Sequence, residues 1–163
     1  MGDAATVKEQ LLELFRRMVF NILMANTDDH EKNHAFLVEQ NGRVPILRLS
    51  PAYDVVTSGN GAVAHEFLIS EDSSEALLSN AMHGCLQFDL TREEAENEIQ
   101  KIIASIEGWK THFKACGVTE KDIEELAAFI DSNALLHERK TFGKTQSAPP
   151  TKKVRSPFGT AER

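Results

Sequence analysis

A polar segment at residues 26–34, Asn-Thr-Asp-Asp-His-Glu-Lys-Asn-His, constrains the fold most, because it separates a helical pattern from a strand pattern. Before it, apolar residues recur every three or four positions over residues 7–24, as on one face of an amphipathic helix. After it, residues 35–39 and 44–49 are short apolar runs around an Asn-Gly pair, a strong hairpin signal. Pro45 makes the second strand an edge or irregular strand. The polar segment is therefore predicted to be a loop that joins a long helix to a hairpin.

The rest of the chain has helical patterns. Ser73 or Ser74 is predicted to cap a first short helix. Thr91, with a glutamate three positions later, has the form of a capping box and opens a helix that should continue to Gly117. Thr119 is predicted to cap the final helix. The expected fold class is mainly α, with one small β-hairpin after the polar loop.

Length and charge define the domain organisation. At 163 residues and 41% hydrophobic composition, one domain is expected, over residues 1–138. Residues 139–163 carry seven Lys or Arg against one Glu and are predicted to be a basic flexible tail. Because the net charge is −7, the body itself is acidic and is not expected to bind DNA directly. No long apolar run or signal-peptide pattern is present, so no membrane association and a cytoplasmic location are expected.

The polar segment matches one zinc-enzyme pattern, because His30, Glu31 and His34 satisfy H-E-x-x-H. That chemistry needs both histidines one turn apart on an α-helix, a glutamate base between them and a third ligand downstream. Candidates for the third ligand are Asp54, His65 and Glu66. Residues 26–29, however, have side chains that favour a helix end or a turn over a helix interior. A zinc hydrolase is therefore the less favoured alternative.

The same segment has the spacing of a protein kinase catalytic loop, in which Asp28 is followed after four residues by Asn33. In such a loop the acid orients the attacking hydroxyl and accepts its proton, while oxygen ligands hold Mg²⁺ on the phosphates. Asp29 in the same register would pair with His34, a poor ligand for Mg²⁺, so the spacing selects Asp28. A second metal-binding acid is expected on the loop after the hairpin, where Asp54 lies. Phosphoryl transfer is the favoured chemistry.

At these residues the chain resembles the HipA-like serine/threonine kinases, which are the toxins of bacterial type II toxin–antitoxin systems. The likeness lies in T-D-x-H-x-K-N at residues 27–33, in the apolar strand after it, and in P-A-Y-D at residues 51–54, which looks like the family's Pro-x-Tyr-Asp element. It covers roughly residues 10–60 with specific motifs and, more loosely, the helices to about residue 135. The fold that it implies is a protein-kinase-like C-terminal lobe.

The resemblance also implies roles, cofactors and partners. By this likeness Asp28 is the catalytic base, and Asn33 and Asp54 hold Mg²⁺. The residues implied to lie beside the phosphates or sugar of ATP are His30, Lys32 and Tyr53. The implied substrate is a protein Ser or Thr hydroxyl, with an aminoacyl-tRNA synthetase as the known kind of target. The implied partner is a helix-turn-helix antitoxin of the HipB type.

The likeness does not extend to the first half of a kinase. A complete kinase has a Gly-rich loop, a strand lysine paired with a helix glutamate, and an adenine-binding hinge before the catalytic loop. Here 27 residues precede Asp28, and they are predicted to form one helix. We therefore expect a C-terminal lobe that needs an N-terminal kinase lobe, either missing or on a separate chain. The alternative from another class is a non-catalytic remnant lobe that acts as an interaction module in a toxin–antitoxin complex.

Overall fold

The computed structural model describes residues 4–41, 44–58, 69–70 and 73–144. These residues form a mainly helical fold with one two-stranded antiparallel hairpin, as the sequence predicts. None of the described helices is long and apolar enough to cross a membrane. The elements in chain order are α1 (Ala4–Leu23), β1 (Phe36–Asn41), β2 (Val44–Leu49), α2 (Leu78–Gly84), α3 (Arg92–Ile106), α4 (Trp109–Ala115), α5 (Glu120–Ile130) and α6 (Asn133–Thr141).

Helix α1 forms the centre of the core. Its apolar stripe buries Phe15, Val19 and Ile22, each at most 1% exposed. This stripe packs against α2, α3 and a short 3₁₀ turn at Cys85–Phe88, where the rings of Phe15 and Phe88 meet edge to face. Burial of a large apolar side chain contributes about 1.5–3 kcal/mol, so these contacts hold α1 firmly. The C-terminal end of α1, which leads into the polar loop, therefore starts from a fixed position.

The hairpin confirms the predicted strands and their direction. Strands β1 and β2 pair with Phe36 opposite Leu49 and Asn41 opposite Val44. The predicted Asn-Gly turn falls partly on residues 42–43, which lie outside the described residues. The hairpin brings the chain back to the end of the polar loop, so residues 51–54 leave it on the same side of the molecule.

The capping box at the start of α3 is confirmed, because the Thr91 Oγ1 accepts the Glu94 N–H while the Glu94 carboxylate accepts the Thr91 N–H. The prediction of one helix from there to Gly117 was wrong, since α3 ends at Ile106 and α4 begins at Trp109. Gly108 stands at the break, where its lack of a side chain makes continued helix unfavourable. Gly117 does end α4, with a left-handed φ of 88°.

The start of α2 differs from the prediction. Instead of capping the helix, Ser73 Oγ accepts hydrogen bonds from the Glu75 N–H and the Asn80 amide. The first residue of the helix, Leu78, donates its N–H to the Glu138 carboxylate at 2.8 Å. The cap of α2 is thus supplied by a side chain from α6, which local sequence cannot indicate.

Thr119 caps α5 as predicted, but α5 is not the final helix, because α6 (Asn133–Thr141) follows it. Helix α6 buries no residue completely, so its sequence lacks the apolar stripe that would have indicated it. Arg139, the first residue of the predicted basic tail, lies within α6 and donates to the Asp131 carboxylate at 3.0 Å. Residues 145–163 of that tail lie outside the described residues, and the domain boundary stays a prediction.

Candidate active site

The polar loop begins with a sharp turn at the end of α1. Ala25 has a φ of 55°, in the left-handed region that residues with a Cβ usually avoid. The next residue, Asn26, is 1% exposed, and its backbone N–H donates to the Asn21 carbonyl at 2.9 Å. Its side-chain amide also donates to the Asn21 Oδ1 at 3.2 Å. These contacts anchor the loop at a buried position on α1.

Residues 30–34 do not form the α-helix that the H-E-x-x-H interpretation requires. Only Glu31–Asn33 is helical, as a single 3₁₀ turn, and His30 and His34 flank it with extended backbone. The ring of His34 is hydrogen-bonded to the Asp29 carboxylate at 2.9 Å. Within the described ranges no three His, Cys, Asp or Glu side chains are grouped so as to hold a metal ion. The two other proposed third ligands, at positions 65 and 66, lie outside those ranges.

The loop brings Asp28 and Asn33 into direct contact. Asn33 is 6% exposed, and its Nδ2 donates to the backbone carbonyl of Asp28 at 2.9 Å. This bond uses the nitrogen of the amide and leaves Oδ1 as a ligand oxygen for a hard cation such as Mg²⁺. The Asp28 carboxylate is exposed and has no hydrogen-bond partner among the described residues. The side chain of Asn33 is thus held in place, while the carboxylate of Asp28 is exposed.

The segment after the hairpin is fixed at two points before it reaches Asp54. The Ser50 carbonyl accepts a hydrogen bond from Arg17 Nη2 at 2.6 Å, which ties the end of β2 to α1. The Tyr53 hydroxyl donates to the backbone carbonyl of Lys32 in the polar loop. Asp54 itself has a left-handed φ of 55°. Strained backbone of this kind persists where surrounding contacts determine it, and it clusters at functional sites.

Asn33, Tyr53 and Asp54 line one cavity of about 260 Å³ against α1. Asp28, His30 and Lys32 do not line it, although Asp28 is joined to it through Asn33. His30 is half-buried and Lys32 is exposed. The structure therefore gathers the two proposed metal ligands and Tyr53 in one place. Asp28 lies next to them, and the other two predicted nucleotide contacts, His30 and Lys32, lie in the polar loop outside the cavity lining.

Two residues that the sequence did not indicate hold this arrangement together. Arg17 bridges α1 to the end of the hairpin through the Ser50 carbonyl, as described above. Ser58 accepts hydrogen bonds at its Oγ from the backbone N–H groups of Thr27 and Asp28. Neither residue belongs to a recognisable motif, because each acts on backbone atoms about 30 positions away.

Comparison with known families agrees with these features. A family model described as the HipA-like C-terminal domain matches residues 1–110. The chain belongs to the HipA-like family. The match includes α1, the polar loop, the hairpin and Asp54, so the resemblance based on the two motifs is confirmed. No curated protein and no solved structure matches the chain. The mainly helical fold with its single hairpin is consistent with the kinase-like C-terminal lobe of a HipA-like protein.

Proposed function

We propose that this HipA-like chain is the catalytic C-terminal lobe of a serine/threonine protein kinase, which transfers the γ-phosphoryl group of ATP to a protein hydroxyl. The observation that carries the proposal is the hydrogen bond from the Asn33 amide to the Asp28 carbonyl. It fixes the two ends of the D-x₄-N motif against each other and leaves the amide oxygen for a cation. That oxygen belongs to a residue that lines the same cavity as Asp54.

The donor set fits Mg²⁺, which prefers oxygen ligands and usually keeps several waters. Asn33 would supply an amide oxygen and Asp54 a carboxylate oxygen, and the ion, when bound, neutralises charge on the phosphates. The exposed carboxylate of Asp28 orients the substrate hydroxyl and accepts its proton. His30, Lys32 and Tyr53 are proposed to lie beside the nucleotide.

A partner surface on the hairpin supports the need for a second lobe. Phe36, Val38 and Leu47 are 55%, 60% and 55% exposed, and they share one face, because Val38 pairs directly with Leu47 and side chains alternate along a strand. Exposed apolar clusters mark interaction sites. We propose that a nucleotide-binding N-terminal lobe, on a separate chain or elsewhere in the polypeptide, covers this face.

The protein substrate and the antitoxin are also proposals. Membership of the HipA-like family supports a HipB-type helix-turn-helix antitoxin as a partner. An aminoacyl-tRNA synthetase is the substrate that the resemblance suggests. The net charge of the whole chain is −7 although residues 139–163 are basic, so the body is acidic, which supports binding to the antitoxin protein over direct contact with DNA.

The catalytic proposal is tested by phosphotransfer from ATP with Mg²⁺ in the presence of a HipA-like N-terminal lobe. Asp28→Asn should lower kcat by about 10²-fold or more, because it removes the general base. Asp54→Asn should raise the Mg²⁺ concentration needed for half-maximal rate. Asp89→Asn is the matched control, since Asp89 is exposed and has the same φ of 55° but lies outside the site. An Asp28→Asn variant with the wild-type rate would refute the assignment.

The partner surface is tested by measuring binding of the N-terminal lobe to the Val38→Lys variant. We expect binding to weaken by about tenfold or more, because a charge would be buried in an apolar contact. Leu86→Lys is the control, since Leu86 is 76% exposed and lies in the 3₁₀ turn Cys85–Phe88, which contacts α1, α2 and α3. If a partner binds through the hairpin but no phosphotransfer occurs, and binding survives Asp28→Asn combined with Asp54→Asn, the non-catalytic interaction module is the better description.

A further inference from the structure

The segment that follows Asp54 folds back onto the end of α1. Thr57 Oγ1 donates to the Met24 carbonyl at 3.0 Å, and the Ser58 N–H donates to the Ala25 carbonyl at 3.0 Å. These two carbonyls directly follow α1, where the helix no longer supplies hydrogen-bond partners, so the bonds satisfy groups that would otherwise need water. The chain after the proposed metal-binding acid is thereby attached to the chain that enters the catalytic loop.

Ser58 makes a further pair of contacts in the loop itself. Its Oγ accepts the N–H of Thr27 at 2.8 Å and the N–H of Asp28 at 3.1 Å. A hydroxyl oxygen has two lone pairs, so one side chain can satisfy two successive backbone donors. Thr27 is 7% exposed, and little water can replace this acceptor at its backbone.

The backbone of Asp28 is therefore held by a side chain on each side. Ser58 Oγ binds its N–H, and Asn33 Nδ2 binds its carbonyl at 2.9 Å. Its carboxylate remains exposed and has no partner among the described residues. These two hydrogen bonds fix the backbone from which the Asp28 side chain extends, while its exposed carboxylate remains accessible to a substrate.

We propose that Ser58 is a positioning residue for the Asp28 base. This inference rests on the proposed kinase function and extends it. Ser58 does not touch the reacting groups, and it acts through the peptide N–H of Asp28. Because Ser58 lies four positions after Asp54, the base and the proposed metal ligand belong to one hydrogen-bonded unit. Their relative position is set within this lobe.

Ser58→Ala should release the Asp28 backbone. Two N–H groups would lose their shared acceptor, and a displacement of the order of 1 Å at the base can lower the rate by about 10²-fold. We expect kcat to fall by roughly 10-fold to 100-fold while the KM for ATP changes little, because the nucleotide contacts are untouched. Ser58→Thr keeps the hydroxyl and should restore most of the rate.

The direct test is amide hydrogen exchange of the ¹⁵N-labelled chain, measured by NMR without ATP or a partner. In Ser58→Ala the amides of Thr27 and Asp28 should exchange about tenfold faster, the effect of losing one hydrogen bond. Ser58→Thr should restore the protection. Ser132→Ala is the matched control, because Ser132 Oγ also accepts a backbone N–H, at the start of α6. If the alanine variant unfolds, Ser58→Cys replaces it, since sulfur is a weak acceptor of similar size.

The outcomes separate this inference from the proposed function. Unchanged exchange at Asp28 in Ser58→Ala would overturn the inference. Faster exchange together with a wild-type kcat in the completed kinase would also overturn it, because the loop contact would then have no effect on the base. Absence of phosphotransfer by the wild-type chain with its N-terminal lobe counts against the proposed function itself, and the exchange comparison then decides whether Ser58 orders the loop.

Discussion

Ala25 turns the chain from α1 into the polar loop with a φ of 55°. In this left-handed conformation the Cβ of an L-residue lies too close to the next carbonyl oxygen, which costs about 1–2 kcal/mol. Glycine has no Cβ and adopts the conformation without that cost. Ala25→Gly should therefore increase the stability of the fold, although glycine usually decreases stability elsewhere.

Two opposing contributions set the size of the effect. The substitution removes about 1–2 kcal/mol of strain from the folded state. It also gives the unfolded chain more conformational freedom, which costs about 0.4–1 kcal/mol. The expected net gain in the free energy of unfolding is about 0.5–1 kcal/mol. Ala104 is exposed within α3, and Ala104→Gly should instead lose about 1 kcal/mol through lower helix propensity.

Urea unfolding followed by far-ultraviolet circular dichroism measures both variants against the wild type. The midpoint should rise for Ala25→Gly and fall for Ala104→Gly, with the same slope m for all three proteins. A gain of 1 kcal/mol corresponds to a rise in Tm of roughly 2–4 °C for a chain of this size. A decrease in stability for Ala25→Gly would mean that the turn at the end of α1 is not strained, and the reasoning from its φ would fail.

Two further substitutions test buried contacts between elements of the fold. The hydrogen bond from Arg16, opposed by burial, holds the pKa of Glu98 below its ordinary value of 4.5, so its stabilisation is present above about pH 4.5 and is lost as the pH falls through the lowered pKa. Glu98→Gln should therefore cost about 1–2 kcal/mol at neutral pH and much less in acid, which urea unfolding at a series of pH values measures. A Cβ at Gly84 would lie 2.2 Å from the Ile69 carbonyl oxygen, so Gly84→Ala should lose about 1–3 kcal/mol in thermal unfolding. Gly108→Ala, with no atom within 4 Å of the added carbon, is its control, and equal losses would contradict the proposed clash.

Helices whose signals are local could be predicted from the sequence. Thr91 and Glu94 form their capping box within four residues, so the start of α3 was predicted correctly. The start of α2 was not, because its cap is Glu138, 60 positions from Leu78. Helix α6 was not predicted either, since it lies against the fold without burying any residue fully. Tertiary contacts determine the start of α2 and the formation of α6, so no short-range sequence pattern predicts them.

The distinction between local signals and long-range contacts also applies to the site. Asp28 and Asn33 are close in sequence, so their spacing indicates a loop whose Asn–Asp contact the structure contains. Arg17 and Ser58 bind backbone atoms 33 and 30 positions away. Because nearly all residue types carry these backbone atoms, the residue at the partner position shows no characteristic type. The H-E-x-x-H match was misleading for a related reason. It specifies residues at a spacing but not the α-helix that would place them together.

The contacts of α1 explain why the polar loop, the proposed catalytic loop, can have a defined geometry in a single lobe. Gln10 Oε1 accepts the Leu49 N–H at 2.7 Å, and Arg17 donates to the Ser50 carbonyl, so one core helix holds the end of the hairpin. The turn at Ala25 and the bonds from Ser58 attach the loop to the end of that same helix. The carboxylate of Asp28 and the apolar face of the hairpin are among the groups that stay exposed. Under the proposed function, an N-terminal lobe would supply nucleotide affinity and cover the hairpin, since contacts within this lobe already hold the backbone of Asp28.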